Sequence, residues 1–131
     1  MNPYLVLSQK DGRPMYLQIM NQIKRLVAQG EWQPGEKVPS IRELAIASKV
    51  SVITIKRAYQ ELERDGVLQT QPGVGSFVAK NNELGDQIMK QEIDKHLNNA
   101  LTHAKNFGLS LKELMARLEQ LALKNNETKD E

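Results

Sequence analysis

The chain alternates between stretches in which apolar residues recur every three or four positions and short polar breaks. The first such stretch begins at Pro14, a residue that suits the first turn of a helix. Tyr16, Ile19 and Ile23 then place apolar side chains on one helical face. Gly30 stands where a helix end favours a left-handed residue. This spacing predicts a helix that starts at Pro14 and ends before Gly30.

Two shorter helices are indicated by their capping residues. Ser40 and Glu43 have the spacing of a capping box, in which each side chain satisfies a free backbone N–H of the other residue. Ser51 is placed to cap the next helix, which Gly66 can end. The apolar stripe of this third helix consists of Ile55, Ala58, Tyr59 and Leu62. Because about three residues separate the two helices, they have the spacing of a helix-turn-helix.

A β-hairpin is predicted directly after the third helix. The β-prone runs 67–70 and 76–80 flank a segment, 71–75, that contains one proline and two glycines. Three helices followed by such a hairpin describe a winged helix-turn-helix, so the fold is expected to be mainly α with a small β-hairpin wing. Residues 4–7 are expected to add an edge strand.

Two further amphipathic helices are predicted beyond a polar joint at residues 81–83. Gly108 can separate them, and Ser110 and Glu113 form a second capping box. Their apolar positions are Leu84, Ile88, Ile93, Leu97 and Leu101 on the first helix, and Leu111, Leu114, Met115, Leu118 and Leu121 on the second. Two helices cannot enclose a core alone, so we expect these positions to form a dimer interface with a second copy. The alternative is a brace against the chain's own front domain.

The domain organisation follows from these patterns. Residues 1–80 are expected to form the winged helix-turn-helix, and residues 81–131 the two-helix dimerisation extension, with a frayed end at 125–131. Of 131 residues, the first part holds 11 lysines and arginines against 7 acidic residues, and the second holds 7 against 9. A basic front suits contact with a polyanion. An uneven surface charge without function would explain the same small excess.

Several classes of protein are excluded by what the sequence does not contain. Without cysteine there are no disulfides, thiolate metal sites or cysteine nucleophiles. Nucleophile and phosphate-loop motifs are missing too, so we expect neither an enzyme nor a cofactor. His96 and His103 share one helical face, but a metal needs more ligands, and we expect surface histidines and no bound metal. No apolar run reaches 18 residues, so no membrane contact and a cytoplasmic protein are expected.

The exposed face of the third predicted helix carries the candidate DNA contacts. A helix fits the major groove, where base edges display distinct donors and acceptors. Basic side chains can bind phosphates or guanine edges, and hydroxyls near a helix N-terminus can bind phosphate. The candidates on this helix are Ser51, Val52, Ile53, Thr54, Lys56 and Arg57. Arg42 would face the same groove wall, and Gly73 and Gly75 would let the hairpin tip approach DNA without a Cβ clash.

Four segments together resemble the DNA-binding domain of GntR-type bacterial transcription regulators. They are PMYLQI (14–19), PGEKVPSIRELA (34–45), VSVITIKRAYQELERDG (50–66) and QPGVGSFV (71–78), within about residues 12–79. The short tail resembles the YtrA-like subgroup, which has a two-helix extension. The resemblance implies a homodimeric repressor that binds double-stranded DNA. Such repressors often act on their own operon and on linked membrane-transporter genes. It places DNA contacts at Ser40, Arg42, Ser51, Val52, Ile53, Thr54, Lys56, Gly73 and Gly75.

The chain departs from that pattern at the tip of the recognition helix. Relatives frequently carry arginine, asparagine or proline where this chain has Val52 and Ile53. These two apolar side chains cannot donate hydrogen bonds to guanine, but they can touch thymine methyl groups. We therefore expect readout through Arg42 and Lys56 with a thymine preference near the tip. The alternative is a winged helix that binds a protein or RNA partner; whether a small-molecule effector acts on the protein is left open.

Overall fold

The computed structural model describes residue 5 and residues 12–129, with side chains described as far as residue 126. Its elements are α1 (Met15–Ala28), α2 (Ile41–Ser48), α3 (Val52–Arg64), β1 (Leu68–Gln71), β2 (Gly75–Val78), α4 (Leu84–Asn106) and α5 (Leu111–Lys129). Over these described residues the fold is mainly helical with one two-stranded hairpin, which confirms the predicted class.

The helix-turn-helix is formed by α2 and α3, each of which begins at a serine cap. The Ser40 Oγ accepts a hydrogen bond from the Glu43 N–H at 3.0 Å, and the Ser51 Oγ accepts one from the Thr54 N–H at 3.2 Å. Between the helices Lys49 has a left-handed backbone, with φ of 55°. The chain therefore reverses at a lysine, where a glycine is usual.

The wing is the hairpin of β1 and β2. The two strands pair antiparallel from Leu68 opposite Val78 to Gln71 opposite Gly75. The inner face of the hairpin closes the core, since Leu68 and Val78 are fully buried. The predicted strands were placed within about two residues of their observed limits.

A third segment lies along the open side of β2, where Lys37 forms an isolated antiparallel bridge with Phe77. This segment lies just before α2. The edge strand predicted at 4–7 falls largely outside the described residues. Leu5, the member that is described, packs partly buried against the core and is not in a strand.

The core of the winged helix is aliphatic and is closed by one tryptophan. α1 and α2 both pack against α3, and the hairpin lies at the end of α3. The largest fully buried side chains are Trp32, Ile19, Ile23, Leu44, Ile55, Leu62, Leu68, Val67 and Val78. Burial of each aliphatic side chain stabilises the fold by about 1.5–3 kcal/mol relative to exposure. The stripe predicted for α3 is therefore what holds the helix in place.

The first turn of α4 belongs to this same core, which corrects the predicted dimer face. Leu84 and Ile88 are buried among the winged-helix residues, so they are not available to a second copy. Gly85 permits the approach, because a Cβ there would lie 3.2 Å from the Ala28 carbonyl oxygen. The chain divides into two compact units after Met89, nine residues beyond the predicted boundary.

The second unit comprises the remainder of α4 together with α5. The capping box at the start of α5 is complete: the Ser110 N–H donates to Glu113 and the Glu113 N–H donates to Ser110, both at 3.2 Å. α5 continues to Lys129, since no glycine or proline interrupts the helix there. The fraying expected over 125–131 stays a prediction. Residues 130–131 lie outside the described part. Across the described chain, no helix is long and apolar enough to cross a membrane.

Candidate nucleic-acid interface

The N-terminal turns of α3 present a mixed apolar and basic surface. Val52 and Ile53 are 49% and 80% exposed, and Lys56, one turn further on, is exposed as well. The cap lies beside them, with the Ser51 Oγ 2.7 Å from the Thr54 Oγ1. The opposite face of α3 is buried. The core thus fixes one face of α3, and within the described residues the opposite face is exposed at the N-terminal end.

The first turn of α2 adds the residues predicted there. Ser40 and Arg42 are both exposed, and Ser40 uses its hydroxyl oxygen as the helix cap. Ile46, one turn beyond Arg42 on the same side of the helix, is 72% exposed. This side of α2 therefore carries one cation followed by one apolar side chain, and Glu43 is exposed beside Arg42 in the first turn.

Arg57 differs from the other candidate contacts because its guanidinium has a partner within the protein. The guanidinium carbon lies 3.8 Å from the centroid of the Tyr16 ring on α1. A cation held over an aromatic face is stabilised by the quadrupole of the ring. The structure thus places this cation beside α1, whereas the sequence pattern grouped it with Lys56.

The two wing glycines have different surroundings. At Gly73 φ is +76° and nothing lies within 4 Å of the position a Cβ would take. At Gly75 φ is +145°, and a Cβ would lie 2.7 Å from the Lys37 Cε. Sequence reasoning missed Lys37. Lys37 reaches the wing through its antiparallel bridge to Phe77, and no local sequence pattern before α2 predicts that bridge.

Tyr59 connects α3 to the segment before α2. Its hydroxyl donates a hydrogen bond of 2.7 Å to the Pro39 carbonyl oxygen, and its ring is buried. Burial raises the pKa of Tyr59, and the nearby negative charge of Glu43 raises it further. The hydroxyl therefore keeps its proton and acts as a fixed donor between the two helices of the motif.

The histidine and acidic side chains of the described residues do not form a metal site. Within them, no three histidine or acidic side chains lie close enough together to hold a metal ion. His96 and His103 are both exposed on α4. What the structure does present is a capped helix with one exposed face, a neighbouring helix whose first turn presents Arg42, and a hairpin, which is the geometry of a winged-helix DNA-binding domain.

The family is established by sequence. Residues 15–78 match the model described as "Bacterial regulatory proteins, gntR family". The chain is 37% identical over 106 residues to the HTH-type transcriptional regulator YhcF of Bacillus subtilis, an alignment that covers 81% of this chain and 88% of that protein. The chain therefore belongs to the GntR family of transcriptional regulators, which are DNA-binding proteins and not enzymes.

Solved structures agree along most of the chain. YtrA from Sulfolobus acidocaldarius, a GntR-family transcription factor, superimposes with a TM-score of 0.57 at 28% identity, covering 93% of this chain and 99% of that one. The similarity includes the two-helix extension and confirms the YtrA-like resemblance. The AraR DNA-binding domain in complex with operator ORX1 matches with a TM-score of 0.51 at 32% identity, covering 58% of this chain and 92% of that one.

Proposed function

We propose that this protein is a homodimeric repressor that binds a palindromic DNA operator, with α3 in the major groove. The observation that carries the proposal is the uncovered N-terminal face of α3, whose opposite face is fixed in the core. The proposed contacts are Ser40, Arg42, Ser51, Val52, Ile53, Thr54, Lys56, Arg57, Gly73 and Gly75. The similar AraR domain is bound to an operator in its solved structure, which supports the choice of DNA as partner.

The contacts divide by chemistry. Arg42 and Lys56 carry the charges that bind guanine edges or phosphates, and the Ser51 and Thr54 hydroxyls with the free N–H groups of α3 bind phosphate. Ile53 projects apolar surface, which meets thymine methyl groups. Readout is thus expected to combine guanine recognition with a thymine preference at the helix tip.

The dimer is proposed on the second unit, where apolar side chains line both helices. Most of them are exposed in the single chain: Ile93, Leu97, Leu101, Leu111, Met115, Leu118 and Leu121, with Leu114 half-buried. Burial of this surface by a second copy is favourable. A two-fold dimer presents two copies of α3, which is why a palindromic operator is expected.

The biological role is proposed from the resemblance to the YtrA-like subgroup. An occupied operator would block RNA polymerase at the promoter, and the regulated genes would be the protein's own operon and linked membrane-transporter genes. This role places the protein in the cytoplasm with the chromosome.

The test is replacement of Arg42 by alanine. If Arg42 binds a guanine edge, Arg42→Ala weakens binding to an operator recovered by selection from random DNA by about 1–3 kcal/mol and relaxes the base preference at one position. The control is Arg25→Ala. Arg25 is exposed in the last turn of α1, next to Lys24, which pairs with Asp65 at the C-terminal end of α3. Arg25 therefore lies far from the N-terminal end of α3. Equal losses for the two variants would contradict the proposed interface. Affinity that does not fall with salt would favour a protein partner.

A further inference from the structure

The segment before α2 is bound to the wing through its backbone. The Val38 N–H donates to the Ser76 carbonyl and the Val78 N–H donates to the Glu36 carbonyl, both at 2.9 Å. Lys37 lies between these two hydrogen bonds, opposite Phe77. Its position relative to the hairpin is therefore fixed by the main chain and not by a flexible loop.

The alternation of side chains places Lys37 on the outer face of the wing. Val38 and Val78 point into the core and are buried. Neighbouring residues along a strand point to opposite faces, so Lys37 and Phe77 point outward, and Gly75 shares that face two residues along β2. Lys37 is exposed. Its charge is thus presented on the side of the hairpin that faces away from the core.

The aliphatic stem of Lys37 passes directly over Gly75. A Cβ at residue 75 would lie 2.7 Å from the Lys37 Cε and 3.5 Å from its Nζ. A separation of 2.7 Å is far inside the 3.5–4.0 Å at which carbon atoms pack. Only glycine leaves the stem in this place, and the ammonium lies beside the backbone of the wing.

We propose that Lys37 is a phosphate-binding residue and that Gly75 serves DNA binding by letting the Lys37 side chain cross the wing. This inference rests on the proposed function, since it assumes that the wing meets DNA. It changes the role of Gly75, which was expected to approach DNA itself. Gln69 and Gln71 of β1, which lie opposite Phe77 and Gly75, are exposed and offer amide donors on the same face of the wing.

The first experiment removes the charge but keeps the stem. Lys37→Met is measured by fluorescence anisotropy on a duplex selected by the wild-type protein and on a scrambled duplex of the same length. The loss is expected to be about 3- to 10-fold on both duplexes, with the slope of log affinity against log salt reduced by about 0.9, because one phosphate contact is lost. Lys37→Arg retains the wild-type slope.

The charge-matched control is Lys24→Met. Lys24 pairs with Asp65 at 3.6 Å, at the C-terminal end of α3, about 20 Å along that helix from Ser51. This variant is expected to keep the wild-type slope. An unchanged slope in Lys37→Met, or the same reduction in both variants, would overturn the proposal. Failure of the wild-type protein to bind either duplex would instead overturn the proposed function.

The second experiment tests Gly75 through a pair of backgrounds. Gly75→Ala is expected to weaken DNA binding at least as much as Lys37→Met, because the new Cβ displaces the stem. In a Lys37→Ala background the same change still carries the strain of an alanine at a φ of +145°, but it displaces no stem. The further loss is therefore expected to be smaller than the loss that Gly75→Ala causes in the wild-type protein. Gly73→Ala controls for a positive φ on the wing, since it displaces nothing. Equal losses from Gly75→Ala in both backgrounds would show that Gly75 acts independently of Lys37.

Discussion

At the scale of single residues, the tip of α3 combines an exposed apolar side chain with a hydroxyl cap and a cation. Ile53 is almost fully exposed, yet it adjoins the hydroxyl cap of the helix and lies one turn from Lys56. An exposed isoleucine contributes little to the stability of the single chain, since its apolar surface stays in water. Its energetic role is therefore expected to appear on binding.

Replacement of Ile53 tests this role without disturbing the fold. If the side chain buries a thymine methyl, deoxyuridine at that position should weaken wild-type binding by about 1 kcal/mol, the value of one buried carbon. In Ile53→Asn the same DNA change should have no effect. Titration of both proteins against both duplexes provides the measurement, with Ile46→Asn on α2 as the matched control. A wild-type protein indifferent to the methyl group would contradict the thymine readout.

The contact between Arg57 and Tyr16 predicts a measurable coupling. Tyr16 is half-buried and Arg57 is exposed, and a cation–π contact that is open to water contributes about 0.5–1 kcal/mol. In a double-mutant cycle of Arg57→Met and Tyr16→Leu, the free energies of unfolding in urea should therefore deviate from additivity by about that amount. Tyr16→Phe should preserve the coupling because it keeps the ring. Strictly additive values would show that the stacked arrangement is not populated in solution.

Residue roles were only partly predictable from sequence. The caps Ser40 and Ser51 were found because their partners lie three residues away. The partners of Arg57 and Lys37 lie about 40 residues away, on α1 and β2, and no short-range pattern encodes such distances. Spacing along the chain thus identified local hydrogen bonds but not the tertiary contacts that direct the basic side chains.

At the scale of elements, the helix-turn-helix depends on a contact that joins α3 to the segment before α2. The Tyr59 hydroxyl binds the Pro39 carbonyl, so α3 is tied to the residue that precedes the cap of α2. Removal of the hydroxyl leaves that carbonyl without its donor. Tyr59→Phe is accordingly expected to lower the free energy of unfolding by about 0.5–1.5 kcal/mol in urea titrations. No change would mean that water replaces the bond at no cost.

The same tyrosine predicts a dependence on alkaline pH. Because burial raises the pKa of Tyr59, the unfolded chain loses this proton near the ordinary value of about 10 while the folded chain retains it. The stabilisation is therefore complete below about pH 10 and is lost as the pH rises above it. The wild-type protein should lose stability faster than Tyr59→Phe between about pH 9 and pH 11. Parallel losses in thermal melts would contradict the assignment.

Element boundaries were predictable where glycine, proline or a capping box marks them. Gly30, Gly66 and Gly108 all adopt positive φ at or just after helix ends. The sequence predicted a break of about three residues between α2 and α3 but did not single out Lys49, because a lysine does not signal a left-handed residue. The role of the first turn of α4 was predicted wrongly, because Leu84 and Ile88 were assigned to a dimer interface and lie in the core. Their spacing is the same whether they pack against the same chain or against a second copy.

At the scale of the whole molecule, the division after Met89 assigns the apolar positions to two different tasks. On α4, Leu84 and Ile88 before the division complete the core of the winged helix, whereas Ile93, Leu97 and Leu101 after it are exposed on the second unit. Amphipathic helices gain most of their stability from packing of the apolar face. The part of α4 after Met89 and α5 are therefore expected to be stable helices only when another surface covers their exposed apolar side chains.

A single charge placed in these rows tests whether that surface is a second copy. Leu101→Glu and Leu118→Glu replace side chains that are 46% and 55% exposed in the single chain, so they remove little from its own core. In a dimer each change appears twice and buries an unpaired carboxylate, which is strongly unfavourable. Light scattering should give twice the chain mass for the wild-type protein and the single mass for both variants. Ile46→Glu, on the first unit, should remain dimeric. If the extension instead braces its own front domain, the wild-type protein is monomeric, and its melting temperature does not depend on concentration.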